Sequence, residues 1–167
     1  MPEVKSVLVL CTGNSARSIL GEALFSRLSD GRIAAYSAGS KPKGAPHPGA
    51  LRLLARRGFA ADRFSSKSWN VFTGPDAPRI DLAITVCGNA AGEACLVFPG
   101  APLRAHWGLP DPADVEGSAA EVDAAFEETA RLLEMRITAF LALDTASMSA
   151  QELQQALARI GAMEGVA

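Results

Sequence analysis

Unbroken apolar runs and helical stripes alternate along this chain, and that alternation predicts its architecture. Val7-Leu8-Val9-Leu10 and Leu82-Ala83-Ile84-Thr85-Val86 are short and lack polar alternation, so each reads as a strand buried on both faces. The first strand is predicted over residues 4–10, and the third, over 82–86, ends at Cys87. Weaker strands are predicted at 32–37, closed by Gly39, and at 103–107. Helical spacing marks 19–28 and 48–57, the latter with Leu51, Leu54 and Ala55 on one face and Gly58 as its stop. Two Ser-x-x-Glu capping signatures open further helices. Ser118-x-x-Glu121 starts one that runs to about Leu143 on Val122, Phe126, Leu133, Ile137 and Phe140. Ser149-x-x-Glu152 starts the last, on Leu153, Leu157 and Ile160, with Gly161 at its end. Residues 60–78 read mostly as loop, with a short helix around 68–72.

Apolar strands alternating with helices imply an α/β fold: a doubly wound, four-stranded parallel sheet with helices on both faces. A loop of small residues after the first strand suits the flavodoxin-like order 2-1-3-4, with a ligand at the carboxyl ends of the strands. That order sets the third strand beside the first and brings Cys87 towards the loop that follows Leu10. Residues 1–143 are expected to form the domain, and 144–167 a C-terminal helical extension packed on or beside it.

Composition narrows the function classes. The 167 residues are 49% hydrophobic and 20% charged with a formal net charge of −2, the balance of a soluble single-domain protein. No basic face large enough for nucleic acid is visible, and Arg56-Arg57 reads as a solvated helix end. No stretch reaches the length of a membrane span, and the run before Cys11 is too brief for a signal-peptide core. A cytoplasmic location is expected. There, three cysteines, an odd number, point to thiol chemistry rather than a disulfide framework.

The densest chemistry is Cys11-Thr12-Gly13-Asn14-Ser15-Ala16-Arg17-Ser18, a Cys-x5-Arg-Ser loop between a buried strand and a helix. Small residues let the backbone wrap so that successive N–H groups face inward as an anion nest. The helix beginning near Ala16 adds its positive end, and Arg17 can fork two donors onto two oxygens. Such a field favours the thiolate form of a cysteine, the nucleophile. Two other segments carry candidates. Cys87 and Cys95 lie in a small-residue stretch containing Gly88 and Gly92. In a helix their Cα atoms would be about 12 Å apart, beyond the ~4.4–6.8 Å of a disulfide. A bond between them therefore needs the segment to fold back, and two unrelated buried cysteines remain the alternative. Neither spacing suits zinc, so no metal site is expected. In His106-Trp107-Gly108-Leu109-Pro110-Asp111-Pro112, Asp111 is either a general acid or a loop-capping carboxylate, while His106 and Trp107 read as packing residues.

Together these segments resemble the arsenate reductases built on the low-molecular-weight tyrosine phosphatase fold. The resemblance covers the chain to about Leu143. It implies that residues 12–18 bind arsenate, with phosphate or sulfate competing, that Asn14 holds the loop's shape and that Ser18 donates to the Cys11 sulfur. It further implies that Cys11 attacks arsenic, Arg17 neutralises the oxyanion, Asp111 protonates the departing hydroxyl, and Cys87 and Cys95 pass the disulfide outward to a thioredoxin-like reductant. Thiols supply the electrons, so no bound cofactor is implied. Some relatives carry a potassium ion behind the loop; Lys67 stands where an acidic ligand is expected, and a built-in ammonium in that place leaves potassium dependence open. The alternative on the same loop is a tyrosine phosphatase, which uses Cys11, Arg17 and Asp111 but neither downstream thiol. Ala113 and Asp114 after Asp-Pro disfavour it, because such phosphatases often place aromatic residues there.

Overall fold

The apolar run after Lys5 becomes the centre of the sheet. In the computed structural model, which describes residues 3–86, 101 and 103–163, β1 (Ser6–Leu10) lies between β2 (Ala34–Ala38) and β3 (Leu82–Thr85). β4 (Leu103–His106) pairs with β3 at the edge, all pairings are parallel, and the order is β2-β1-β3-β4, the 2-1-3-4 order expected. Leu10 is in register with both Ala38 and Thr85, so the segments leaving β1, β2 and β3 emerge side by side at the carboxyl ends.

Alternation along β1 divides the core. Val7 and Val9, with Leu82 and Ile84 of β3, face a cluster built by α1 (Arg17–Leu28), α2 (Pro48–Arg56), α3 (Ala119–Leu141) and α4 (Ala150–Gly161). Leu8, Leu10, Ala38 and Ala83 face the other way, where a 3-10 helix at Trp69–Phe72 contributes Phe72, with Ile80 and Ala101 beside it. Both capping boxes form: Ser118 with Glu121 and Ser149 with Glu152. No helix among the described residues is long and apolar enough to cross a membrane.

The differences from expectation have local causes. β1 starts at Ser6 rather than Val4, because Val4 packs against the core without pairing. β2 is displaced towards its carboxyl end: Arg32 and Ile33 close the turn after α1, through Arg32 N to Ser29 O (3.1 Å) and Ile33 N to Ser29 Oγ (3.2 Å). Gly161 ends α4 as expected, with Ala162 as the C-cap. Arg56 and Arg57 do stand at the solvent-facing end of α2, but they are also ion-paired. Arg56 pairs with Asp123 (3.6 Å) and Glu127 (3.1 Å), and Arg57 with Glu127 (2.9 Å) and Glu134, tying α2 to α3.

Candidate active site

Residues 11–16 leave β1 and turn into α1, and the turn is held from outside. The carbonyls of Thr12, Gly13 and Ser15 accept from the backbone N–H groups of Lys41 (3.0 Å), Lys43 (3.0 Å) and His47 (2.8 Å), and Ser66 Oγ also donates to Gly13 O (3.0 Å). With the carbonyls committed there, the N–H groups of residues 12–16 make no hydrogen bond among the described residues. They remain available to an anion. Gly39 permits this packing: a Cβ there would stand 2.4 Å from Thr12 O and 2.7 Å from Cys11 O. Asn14 is left-handed, at φ 44°, a conformation asparagine tolerates. Its Oδ1 accepts from Lys67 N (2.8 Å) and its Nδ2 donates to Ser18 Oγ (2.8 Å). That leaves the single Ser18 proton available to the Cys11 sulfur, 2.9 Å away.

The end of α1 completes the electrostatics. Three helices have side-chain caps, from His47, Ser118 and Ser149, whereas α1 has no capping side chain and no acid in its first turn. Its positive end is therefore not neutralised locally, and it lies at the loop. The Arg17 side chain is buried, with Nη1 donating to Val86 O (3.2 Å) and Leu109 O (3.0 Å) and Nη2 lying 3.4 Å from Asp111 Oδ2. Asp111 takes the loop-capping place that its sequence allowed and also faces the arginine. Its Oδ1 caps the turn at Pro112–Asp114 by accepting from Ala113 N (3.0 Å), while Oδ2 faces Arg17. Cys11, Arg17 and Asp111 border a cavity of about 320 Å³, with the exposed Lys41 and Lys43 at its rim. Cys87 and Cys95 lie outside the described residues.

Behind the loop, Lys67 Nζ bonds Ser65 O (2.8 Å) and Ser37 Oγ (3.4 Å) and lies 3.8 Å from Glu22, which itself accepts from Ser37 Oγ (2.5 Å). Burial pushes the Glu22 pKa up and the Lys67 pKa down; each partner's charge offsets part of the other's shift. Sequence reasoning found Asn14, Ser18 and Lys67 but missed Glu22, Ser66 and the outer clamp at 41–47, which are distant in sequence and follow no spacing rule. It also assigned Gly39 only to a strand end.

A Cys-x5-Arg nest at the carboxyl edge of a 2-1-3-4 sheet defines an oxyanion-binding thiol protein. Residues 6–157 match the family described as low molecular weight phosphotyrosine protein phosphatase, and the chain belongs to it. A curated relative, the arsenate reductase of Bacillus licheniformis, is 32% identical over 81% of this chain and 94% of its own length. Among solved structures, the arsenate reductase from Archaeoglobus fulgidus is 31% identical with a TM-score of 0.52, covering 76% of this chain and 98% of that one. The thioredoxin-dependent arsenate reductase of Corynebacterium glutamicum is 26% identical with a TM-score of 0.51, over 81% of this chain and 62% of that one.

Proposed function

We propose that this protein reduces arsenate to arsenite through three thiols. Cys11 Sγ attacks arsenic, a hydroxyl leaves as water with the proton of Asp111, and an S–As bond forms. Arg17 and the loop N–H groups hold the remaining oxygens, a contact type that typically contributes about 10²–10³ in rate. Cys87 then attacks Cys11 Sγ. The S–As electron pair passes to arsenic, arsenite departs, and a Cys11–Cys87 disulfide remains. Cys95 attacks Cys87, which frees Cys11, and a thioredoxin-like dithiol reduces the Cys87–Cys95 bond. The relatives' activity supports the substrate, and the thioredoxin-dependent neighbour supports the reductant. Such a reductant suits a reducing, cytoplasmic setting. Lys67 supplies the positive charge beside Glu22 that an ion would otherwise bring.

One observation carries the relay. Val86, the residue before Cys87, donates from N to Leu10 O (2.9 Å), the residue before Cys11, and accepts from Arg17. The chain thus enters the Cys87 segment from beside the nucleophile's own strand end. The test is arsenite production with thioredoxin, thioredoxin reductase and NADPH. Cys87→Ser is expected to release no arsenite, and Cys95→Ser to make about one equivalent and stall with Cys11 bonded to Cys87. Phenyl phosphate hydrolysis, where present, survives both changes. Multiple turnovers by both variants would refute the relay and favour the phosphatase.

A further inference from the structure

The loop that delivers Asp111 is anchored by α4 and the residues just after it. Trp107, fully buried at the start of the loop, donates from Nε1 to Leu157 O of α4 (3.1 Å). Gly161 brings α4 so close that a Cβ there would lie 2.4 Å from His106 O and 2.8 Å from Trp107 Cδ1. Arg136 of α3, 5% exposed, donates from Nη1 to Trp107 O (2.9 Å) and Gly108 O (3.1 Å) and from Nη2 to Met163 O (3.0 Å), just after α4. It forms no ion pair with a carboxylate among the described residues. A buried guanidinium is costly to leave unpaired; Arg136 Nε finds no partner among the described residues, so the three bonds from Nη1 and Nη2 are what hold it, and they fix those carbonyls relative to one another. One residue further on, Leu109 accepts from Arg17 and donates from N to Val86 O (3.2 Å). The backbone from 107 to 109 is thus held by α4 and, through Arg136, Met163 on one side and by the oxyanion-binding arginine on the other. Asp111 follows two residues later.

We infer that Arg136, Trp107 and the close contact at Gly161 are positioning elements: they make the C-terminal helix a strap that sets where the Asp111 carboxyl meets the oxyanion. The inference rests on Asp111 acting as the acid, and it gives the 144–167 extension a task in the reaction. A misplacement of about 1 Å can cost about 10²-fold in rate. A partial loosening of the strap is therefore expected to cost about tenfold in the acid-dependent step while leaving the nest able to bind.

Gly161→Ala, Trp107→Phe and Arg136→Met each test this, with Arg136→Lys as the conservative variant that keeps the charge. The readouts are the single-turnover rate of arsenite formation and the sulfate Kd, each measured with and without Asp111→Asn. The expected result is a rate about tenfold lower with a Kd within about twofold, partial recovery in Arg136→Lys, and loss of the rate effect once Asp111 is Asn. Equal rate losses in both backgrounds, or sulfate binding falling in step with rate, would make the strap merely structural and overturn the inference. Asp111→Asn reacting at the wild-type rate would instead overturn the acid, and the strap's role with it. The same cycle on phenyl phosphate reads the acid without the relay, so failure of the reductase reading is told apart.

Discussion

At the amino ends of the strands a cavity of about 1000 Å³ is lined by Glu3, Lys5, Tyr36, Arg79, Asp81 and Leu103, while the one at the carboxyl ends measures about 320 Å³. The larger cavity holds charges that pair with one another: Lys5 with Glu3 (3.7 Å) and Arg79 with Asp81 (3.2 Å), whose Oδ2 accepts from Lys5 N (2.9 Å). In the smaller one the polarity is one-sided. Loop N–H groups, the uncapped end of α1, Arg17 and two lysines face a single carboxylate, Asp111. Volume therefore does not mark the site. What marks it is the polar capacity of the loop N–H groups and the α1 end, which the described residues do not satisfy and a bound anion would. The α1 terminus shows the cost: it forgoes a cap of the kind typically worth about 1 kcal/mol, which α2, α3 and α4 all have.

The largest effects should separate the two ends. Cys11→Ser and Arg17→Ala are each expected to lower arsenate turnover by at least about 10²-fold, through loss of the nucleophile and of the oxyanion contact. Arg79→Ala, in the larger cavity, should stay within about twofold. Sulfate should raise the wild-type Tm, because it binds only the folded nest, and should not raise that of Arg17→Ala. A comparable activity loss in Arg79→Ala would dissolve the contrast.

Next in size is Gly39→Ala, which tests whether the nest is imposed by its surroundings. The new Cβ must displace the carbonyls of Thr12 and Cys11, so a stability loss of about 1–3 kcal/mol is expected, with weaker sulfate binding. Gly74, whose added Cβ would meet nothing within 4 Å, is the control. Urea unfolding and sulfate titration measure both. Unimpaired sulfate binding in Gly39→Ala would mean that the loop holds its own shape.

The Lys67–Glu22 pair gives a smaller effect with a definite sign. Lys67→Met strands a largely buried carboxylate and should destabilise by about 1–2 kcal/mol, below the 3–5 typical of full burial because both groups keep some solvent contact. Glu22→Gln with Lys67→Met should recover most of that loss. Exchanging sodium for potassium should leave the wild-type rate unchanged and raise that of Lys67→Asp. A potassium response in the wild type would show that the ammonium does not stand in for an ion.

Contiguity in sequence decides what could be read in advance. The strand order, the Cys11–Arg17 loop and both capping boxes were legible because each is written in neighbouring or regularly spaced residues. Gly39, Ser66 and the 41–47 clamp were not, since their partners lie across the sheet edge and their residue types are ordinary in loops. Arg136 was invisible for a related reason: it occupies a buried helix position where periodicity predicts an apolar side chain. The ion pairs of Arg56 and Arg57 went unread because pairs between helices depend on how α2 and α3 face each other, which no single-helix pattern specifies.

The smallest expected effect is a pH dependence at His47, which joins the clamp to α2. Its N–H holds Ser15 O, its Nδ1 accepts from Gly49 N (2.9 Å) as the α2 cap, and its ring stacks on Phe126 at 5.1 Å. Burial lowers its pKa below 6.5; the Asp111 charge opposes the shift, and Lys43 and Arg52 add to it. Protonation would also turn Nδ1 from acceptor to donor, facing another donor. Because the folded value is depressed, the contribution to stability is present above pH 6.5 and is lost as pH falls through the folded value. Partial exposure limits it to a few tenths up to about 1 kcal/mol. His47→Asn keeps a capping side chain that does not titrate. Its Tm should fall less than the wild type's between about pH 7 and pH 5, and the weakening of sulfate binding over that interval should shrink with it. Identical Tm profiles would remove His47 from the acid response and leave the clamp without a pH-sensitive joint.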